Sequence, residues 1–263
     1  MNIRPAAVSG SFYPERDVIL RANVDGFLRQ SASKDRNIKA PKVLIVPHAG
    51  YQYSGLVAAS AYQLLDGYSV QIHRVVLLGP SHHVAFEGIA IPSSEQFETP
   101  LGPIDLDLDW LNKAAEDPGV VIRDDAHQYE HSLEVQLPFL QTVLSDFTLV
   151  PLVVGVCHPD HVSRVLRMLW GGPETLIVVS TDLSHFNTYD TAKKIDLNTT
   201  NKILSFNSNI SGQEACGHFP LNGLLSRAKS AGMSIHLQSL KNSGDAEGNY
   251  SRVVGYGAFS LYE

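Results

Sequence analysis

Val75-Val76-Leu77-Leu78-Gly79-Pro80-Ser81-His82-His83 sets four apolar residues against a Gly-Pro stop and then two histidines. Such a run is far too short to span a bilayer, and with the stop behind it reads as a strand buried on both faces. A buried parallel strand delivers its C-terminal end to the crevice in which open α/β sheets hold their ligands. An imidazole placed there can bind a metal or move a proton. The same arrangement occurs twice more. Val43-Leu44-Ile45-Val46 runs into Pro47-His48-Ala49-Gly50, and Leu176-Ile177-Val178-Val179 runs into Ser180-Thr181-Asp182-Leu183-Ser184-His185. Three apolar strands that each end in a histidine point to one site built along one edge of one sheet.

Around these strands the pattern alternates. Helices are expected over 16–30, 55–65 (with Ser54 as N-cap), 107–116, about 128–145, 160–169, 189–204 and 222–231, with Pro138 kinking the fourth or sitting in its first turn. Further strands are expected over 88–92, 120–122, 147–154, 234–240 and 253–261. Residues 1–15, 97–104 and 244–250 read as loops, and 31–41 as a polar surface linker. Strands alternating with helices predict an α/β fold: a three-layer sandwich around a mostly parallel or mixed central sheet, antiparallel near the C-terminus. No boundary interrupts this pattern, and residues 1–263 are expected to form a single domain.

Composition narrows the function. The chain has 263 residues, 44% hydrophobic and 18% charged, which supplies a sizeable core. Its formal charge of -7 is spread without basic blocks, which speaks against a nucleic-acid partner. The two cysteines, Cys157 and Cys216, cannot build a disulfide framework and read as reduced thiols. The N-terminus lacks a signal-peptide pattern, and no segment approaches the ~18 apolar residues of a membrane span. A soluble cytoplasmic protein is expected, without a membrane partner. Walker, dinucleotide-binding and nucleophile-elbow patterns are all absent.

His48, His82 and Cys216 are the candidate metal ligands. Two imidazoles and a thiolate leave coordination positions open, which suits catalytic iron, copper or zinc. Cys216 sits before a helix whose N-terminus favours the thiolate. Cys157, with His158 beside it, is a competing thiol, and spacing alone does not choose between the two. Asp182 and His185 read as an acid/base pair with the carboxylate orienting the imidazole, although Asp182 or Ser184 could equally cap the next helix. His131, between Glu130 and Glu134 at a helix start, is a substrate-facing or supporting candidate, as are Tyr51, Tyr53 and His218. His83 either faces the pocket or braces His82.

Taken together, Pro47-His48-Ala49-Gly50-Tyr51, Leu78-Gly79-Pro80-Ser81-His82-His83, Glu130-His131-Ser132-Leu133-Glu134, Ser180-Thr181-Asp182-Leu183-Ser184-His185 and Cys216-Gly217-His218-Phe219-Pro220 resemble the Memo family. Its prokaryotic members are named AmmeMemoRadiSam system protein B. The resemblance runs from Ser9-Gly10-Ser11-Phe12-Tyr13 to the last strand. It implies the fold of class III, LigB-type extradiol dioxygenases, in which two histidines and a glutamate hold Fe(II), with a cysteine in place of the glutamate. It implies metal ligands at His48, His82 and Cys216, settling Cys216 over Cys157, and places Asp182 and His185 beside the metal. The implied activity is that of a mononuclear oxidoreductase using Fe(II) first, copper or zinc otherwise, on a small-molecule or peptide ligand. A non-catalytic binding module and a metal-dependent hydrolase are the alternatives.

Overall fold

The computed structural model describes residues 2–32 and 39–263, so the linker expected over 31–41 lies partly outside the described residues. The strands are β1 (Ile3–Arg4), β2 (Val43–Val46), β3 (Arg74–Pro80), β4 (Ile89–Ile91), β5 (Gln96–Thr99), β6 (Gly102–Asp105), β7 (Val120–Ile122), β8 (Thr148–Val154), β9 (Thr175–Ser180), β10 (His185–Asn187), β11 (Ser234–Asn242) and β12 (Val253–Tyr262). The helices are α1 (Asp17–Ser31), α2 (Tyr51–Tyr62), α3 (Leu108–Ala115), α4 (Asp124–Gln128), α5 (His131–Glu134), α6 (Leu137–Val143), α7 (Pro159–Met168), α8 (Tyr189–Leu204), α9 (His218–Ser230) and α10 (Ser243–Glu247).

The fold is the expected α/β arrangement, a large mixed sheet with helices around it. The main sheet runs β10-β12-β2-β9-β3-β8-β4-β7, with β11 paired to β12. Its centre is parallel: β2 pairs with β9, β9 with β3 and β3 with β8. On either side the order turns antiparallel, at β12 against β2 and at β4 against β8. Val43–Val46, Val75–Leu78 and Leu176–Val179 are essentially inaccessible to solvent, which is why they carry no polar residue on either face. The helix α2 packs on β2, β11 and β12, with α1 over it, while α9 packs on β3 and β9 beside α7.

Several short elements differ from expectation. Residues 97–104, expected as loop, belong to the β5–β6 hairpin, which β1 extends into a separate sheet. Residues 244–250, also expected as loop, contain most of α10, closed by an Asn242/Asp245 capping box and a left-handed Gly248. Ser54 is not a cap: α2 starts at Tyr51, and the Ser54 hydroxyl donates to the Ala49 carbonyl inside it. The long helix expected over 128–145 is two short ones, α5 and α6, with α4 ending at Gln128, because Glu130 caps a fresh start and Pro138 occupies the first turn of α6.

Two contacts set α5 where the site needs it. Gly79, near the end of β3, lies so close to α5 that a Cβ there would meet Ser132 Oγ at 2.5 Å and Leu133 Cδ2 at 2.9 Å. The second is a buried ion pair between Arg4 and Glu134. Arg4 also donates to the carbonyls of His127 and Glu130, both at 2.9 Å. Glu134 accepts from the Ala7 and Val8 amides at 2.8 and 2.9 Å and from the Tyr13 hydroxyl at 2.6 Å. Every oxygen of the carboxylate is satisfied, the condition under which a buried pair is tolerated. Removing one member leaves the other charged and unpartnered. Glu134→Ala is therefore expected to destabilise the fold by about 3–5 kcal/mol in urea unfolding, whereas Arg123→Ala in the exposed Arg123–Asp125 pair should leave the urea midpoint nearly unchanged.

Candidate metal centre

The parallel register brings the histidine-bearing strand ends together. Val46 lies opposite Ser180, and Leu78 opposite Val179. His48 therefore emerges two residues beyond β2, His82 two beyond β3, and Asp182 two beyond β9. His131, the first residue of α5, joins them. One ring nitrogen from each of His48, His82 and His131 lies within 4.8 Å of the others, a grouping able to hold a metal ion. His131 stacks on His82 with ring centroids 4.5 Å apart, and Phe12 lies 4.7 Å from His131.

The hydrogen bonds decide which nitrogens are free. Ser180 Oγ donates its single proton to the Ser132 carbonyl at 2.6 Å and accepts from Gln136 Nε2 at 2.8 Å. Its 2.8 Å contact with His48 Nδ1 must then be an acceptance from Nδ1–H, which leaves the lone pair on Nε2. His82 Nδ1 lies 2.8 Å from Glu130 Oε1. Glu130 also accepts the His82 amide at 2.6 Å and the Ser132 amide at 2.9 Å. Burial opposes its charge, but the His82 ring and these amides outweigh burial and hold the carboxyl well below the usual carboxylate range. An ionised carboxylate only accepts, so His82 also carries its proton on Nδ1 and offers Nε2.

Burial keeps the rings of His48 and His131 neutral. It lowers the pKa of His48 far below that of a free imidazole, and the neighbouring His82 adds to the effect. Burial lowers His131 as well, followed by His48 and His82. Neutral imidazole is the ligating form.

Cys216, on the loop before α9, stands beside His48 and is not one of the three residues of that grouping. Its Sγ is 3.3 Å from His48 Nε2 and accepts the Asp182 amide at 3.3 Å. Bonds of ~2.3 Å to sulfur and ~2.0 Å to nitrogen place two ligands of one ion roughly 3.1–3.6 Å apart, so the separation suits a shared ion. The helix N-terminus does not produce the expected thiolate. Burial and the nearby Asp182 carboxylate push the thiol up to about 12, and ligation would have to remove that proton.

Asp182 is buried, and its carboxylate accepts the backbone amides of His48, at 2.7 Å, and Ala49. It thus fixes the His48 turn and does not orient His185 as expected. The helix-cap alternative does not hold either, because Thr188 occupies the N-cap position of α8. The imidazole of His185 is held by the Leu183 carbonyl, 2.8 Å from Nδ1, again leaving Nε2 bare. A register shift between His185 and Asn187 presents this ring, with Phe186 left-handed at φ 59°. Such a backbone persists for an aromatic residue only where the surroundings impose it, as bulges beside sites do.

A family model described as Memo-like protein matches residues 4–260. The chain belongs to the Memo family. A MEMO1 family protein of Methanosarcina mazei is 34% identical across 98% of both chains. Another, of Aquifex aeolicus, is 34% identical across 97% of this chain and 98% of its own. Among solved structures, the uncharacterized protein JW3007 of Escherichia coli K12 aligns with a TM-score of 0.53 over 82% of this chain and 98% of that one. At 13% identity this is a likeness of fold alone.

In this Memo-family chain the other candidates take separate places. Tyr51 is a core residue, its hydroxyl donating to the Val135 carbonyl at 2.8 Å and its ring among Tyr13, Phe27 and Phe139. Tyr53 engages Glu247 of α10. His218 packs on Phe219, with ring centroids 3.9 Å apart. His83 is exposed, 6.0 Å from His131. It does not brace His82, because Glu130 does. Cys157 faces His161, away from this grouping. Glu130, Ser180 and Phe12 went unread as parts of the site. The first two lie inside motifs already quoted, but their roles depend on partners 48 residues away.

One further acid supports the loop carrying Asp182 and His185. Asp196 of α8 accepts the Ser184 amide at 2.9 Å, and burial raises its pKa from 3.8 to about 6. The folded state then holds this proton more tightly than the unfolded chain. Its stabilising effect is complete below pH ~4 and disappears as pH rises through about 6. Relative to Asp196→Asn, the wild-type protein is expected to lose up to about 3 kcal/mol between pH 4 and pH 7, read from urea midpoints at the two values.

Proposed function

We propose that this Memo-family chain is a mononuclear metal-dependent oxidoreductase acting on a small molecule or peptide. The observation that carries this reading is the grouping of one ring nitrogen each from His48, His82 and His131 within 4.8 Å, with Cys216 Sγ 3.3 Å from His48 Nε2. His48, His82 and Cys216 would hold the ion, and Fe(II) or copper suits a mixed imidazole–thiolate set better than a hard cation does. A bound ion of this kind supplies a redox-active Lewis acid with open positions.

The chain's own groups do the rest. Ser180 and Glu130 fix the tautomers of the two imidazoles, and Asp182 pins the backbone of the His48 turn. His185, with Nδ1 committed to a carbonyl, takes or returns a proton at Nε2. Phe12 and His131 provide aromatic surface beside the site. A second ligand set is also favoured by geometry, since His131 shares the 4.8 Å grouping with His48 and His82. Its ring could replace or supplement the thiolate.

Elemental analysis after anaerobic purification is expected to give about one iron or copper per chain. His48→Ala with His82→Ala should abolish it, and full retention in that double variant would end this reading. Cys216→Ser and His131→Phe separate the two ligand sets by which one loses metal. In a dioxygen-uptake assay with the reconstituted protein and ascorbate, His185→Gln should keep its metal while uptake falls by about 10²-fold or more. Turnover that persists without oxygen would instead favour hydrolysis by a metal-activated water, and ligand binding that survives chelation would favour a binding module.

A further inference from the structure

We propose that Cys157 is a second reactive centre, a thiol that His161 and Asp117 activate toward small hydroperoxides. Cys157 Sγ lies 3.2 Å from His161 Nδ1, and His161 Nε2 lies 2.9 Å from Asp117 Oδ1. The three residues come from the segment just after β8, the first turn of α7 and the turn after α3, and none belongs to the histidine grouping. Asp117 is buried and firmly held. Arg164 donates Nε to Oδ2 at 2.5 Å and Nη2 to Oδ1 at 3.1 Å, and the Gly119 amide donates to Oδ1 at 3.0 Å. Arg164 is the largest influence bringing this carboxyl down to about 2, so it is ionised at neutral pH.

An ionised carboxylate can only accept. His161 therefore carries its proton on Nε2 and turns the lone pair of Nδ1 toward the sulfur. Nucleophile, imidazole and carboxylate stand in the order used by thiol and serine enzymes, with the carboxylate fixing the tautomer. Gly119 makes room for this: a Cβ there would lie 1.9 Å from His161 Cε1. No metal explains the cluster, since the two ring nitrogens face different partners.

Burial pushes the Cys157 thiol up to about 11, so it waits as S–H hydrogen-bonded to Nδ1 and needs a base at the moment of attack. As the sulfur attacks the terminal oxygen of a hydroperoxide, its proton passes to His161. The S–O bond forms, the O–O bond breaks, and the leaving oxygen takes the proton from the imidazolium. Sulfur loses two electrons, the peroxide gains them, and the products are a Cys157 sulfenic acid and water or an alcohol. The size of the reagent follows from access. Cys157 is 5% exposed, whereas its neighbours Val156 and His158 lie at the surface, so hydrogen peroxide fits where a bulky electrophile does not.

The test treats the full-length, metal-free chain with hydrogen peroxide at neutral pH, traps sulfenic acid with dimedone and quantifies the Cys157 and Cys216 peptides separately by mass spectrometry. Cys157 is expected to react at least about tenfold faster in the folded protein than in the same chain unfolded in urea, where its thiol has the ordinary reactivity of a free cysteine. His161→Gln should erase that advantage, and Asp117→Asn, which replaces one acceptor oxygen by a donor and removes the charge facing His161, should lower it. A folded wild-type rate at or below the unfolded rate would overturn the proposal by showing a sealed structural thiol, whether or not His161→Gln folds. An unchanged rate in a folded His161→Gln protein would overturn the role of the base.

Discussion

The structure depends on the parallel pairing of β2, β9 and β3. Backbone hydrogen bonds lock these strands in a register that sets Val46 beside Ser180 and Val179 beside Leu78. Because all three run in one direction, each chain leaves the sheet at the same edge, carrying a polar turn with it. Side chains distant in sequence thereby share a few ångströms without any local motif. The apolar faces cannot slip by one residue, since both are buried and the strand ends would be dragged into the core.

A second layer of constraint turns proximity into chemistry. The imidazole of His82 acquires a defined tautomer from Glu130, and that of His48 from Ser180, whose own proton is already given to Ser132. Both partners are tied to α5, which Gly79 allows to lie against β3 and which Arg4 and Glu134 fasten to the N-terminal segment. The arrangement is economical because one short helix caps itself on Glu130, contributes His131 and orients His82. It also explains why the first thirteen residues matter to a site built on strands far downstream. Phe12 reaches His131 only because the segment from Arg4 to Tyr13 is bound to Glu134.

Much of this was legible in the chain. The apolar runs at 43–46, 75–78 and 176–179 announced buried strands, and a histidine a few residues after each announced a shared edge. The helix Tyr189–Leu204 appears with the bounds expected for it, and Pro138 sits at a helix start. The failures are of one kind. Short elements such as α10 and the β5–β6 hairpin are made by capping groups and pairing partners, which leave little periodic trace over four or five residues. Asp182 read as the partner of His185, yet its carboxylate is taken by the backbone amides of residues 48 and 49. Cys216 read as a thiolate at a helix start, yet burial and Asp182 outweigh the helix.

The amino-acid order by itself determined the strands, their histidine-bearing ends and the family, because each is written in contiguous residues whose polarity changes abruptly. Only the tertiary structure decided which nitrogen of each ring is bare, that His131 stands with His48 and His82, and that Cys157 meets His161 and Asp117. Hydrogen-bond partnership and desolvation are properties of neighbours in space, and in this chain those neighbours come from strands, turns and helices that only the folded sheet brings together.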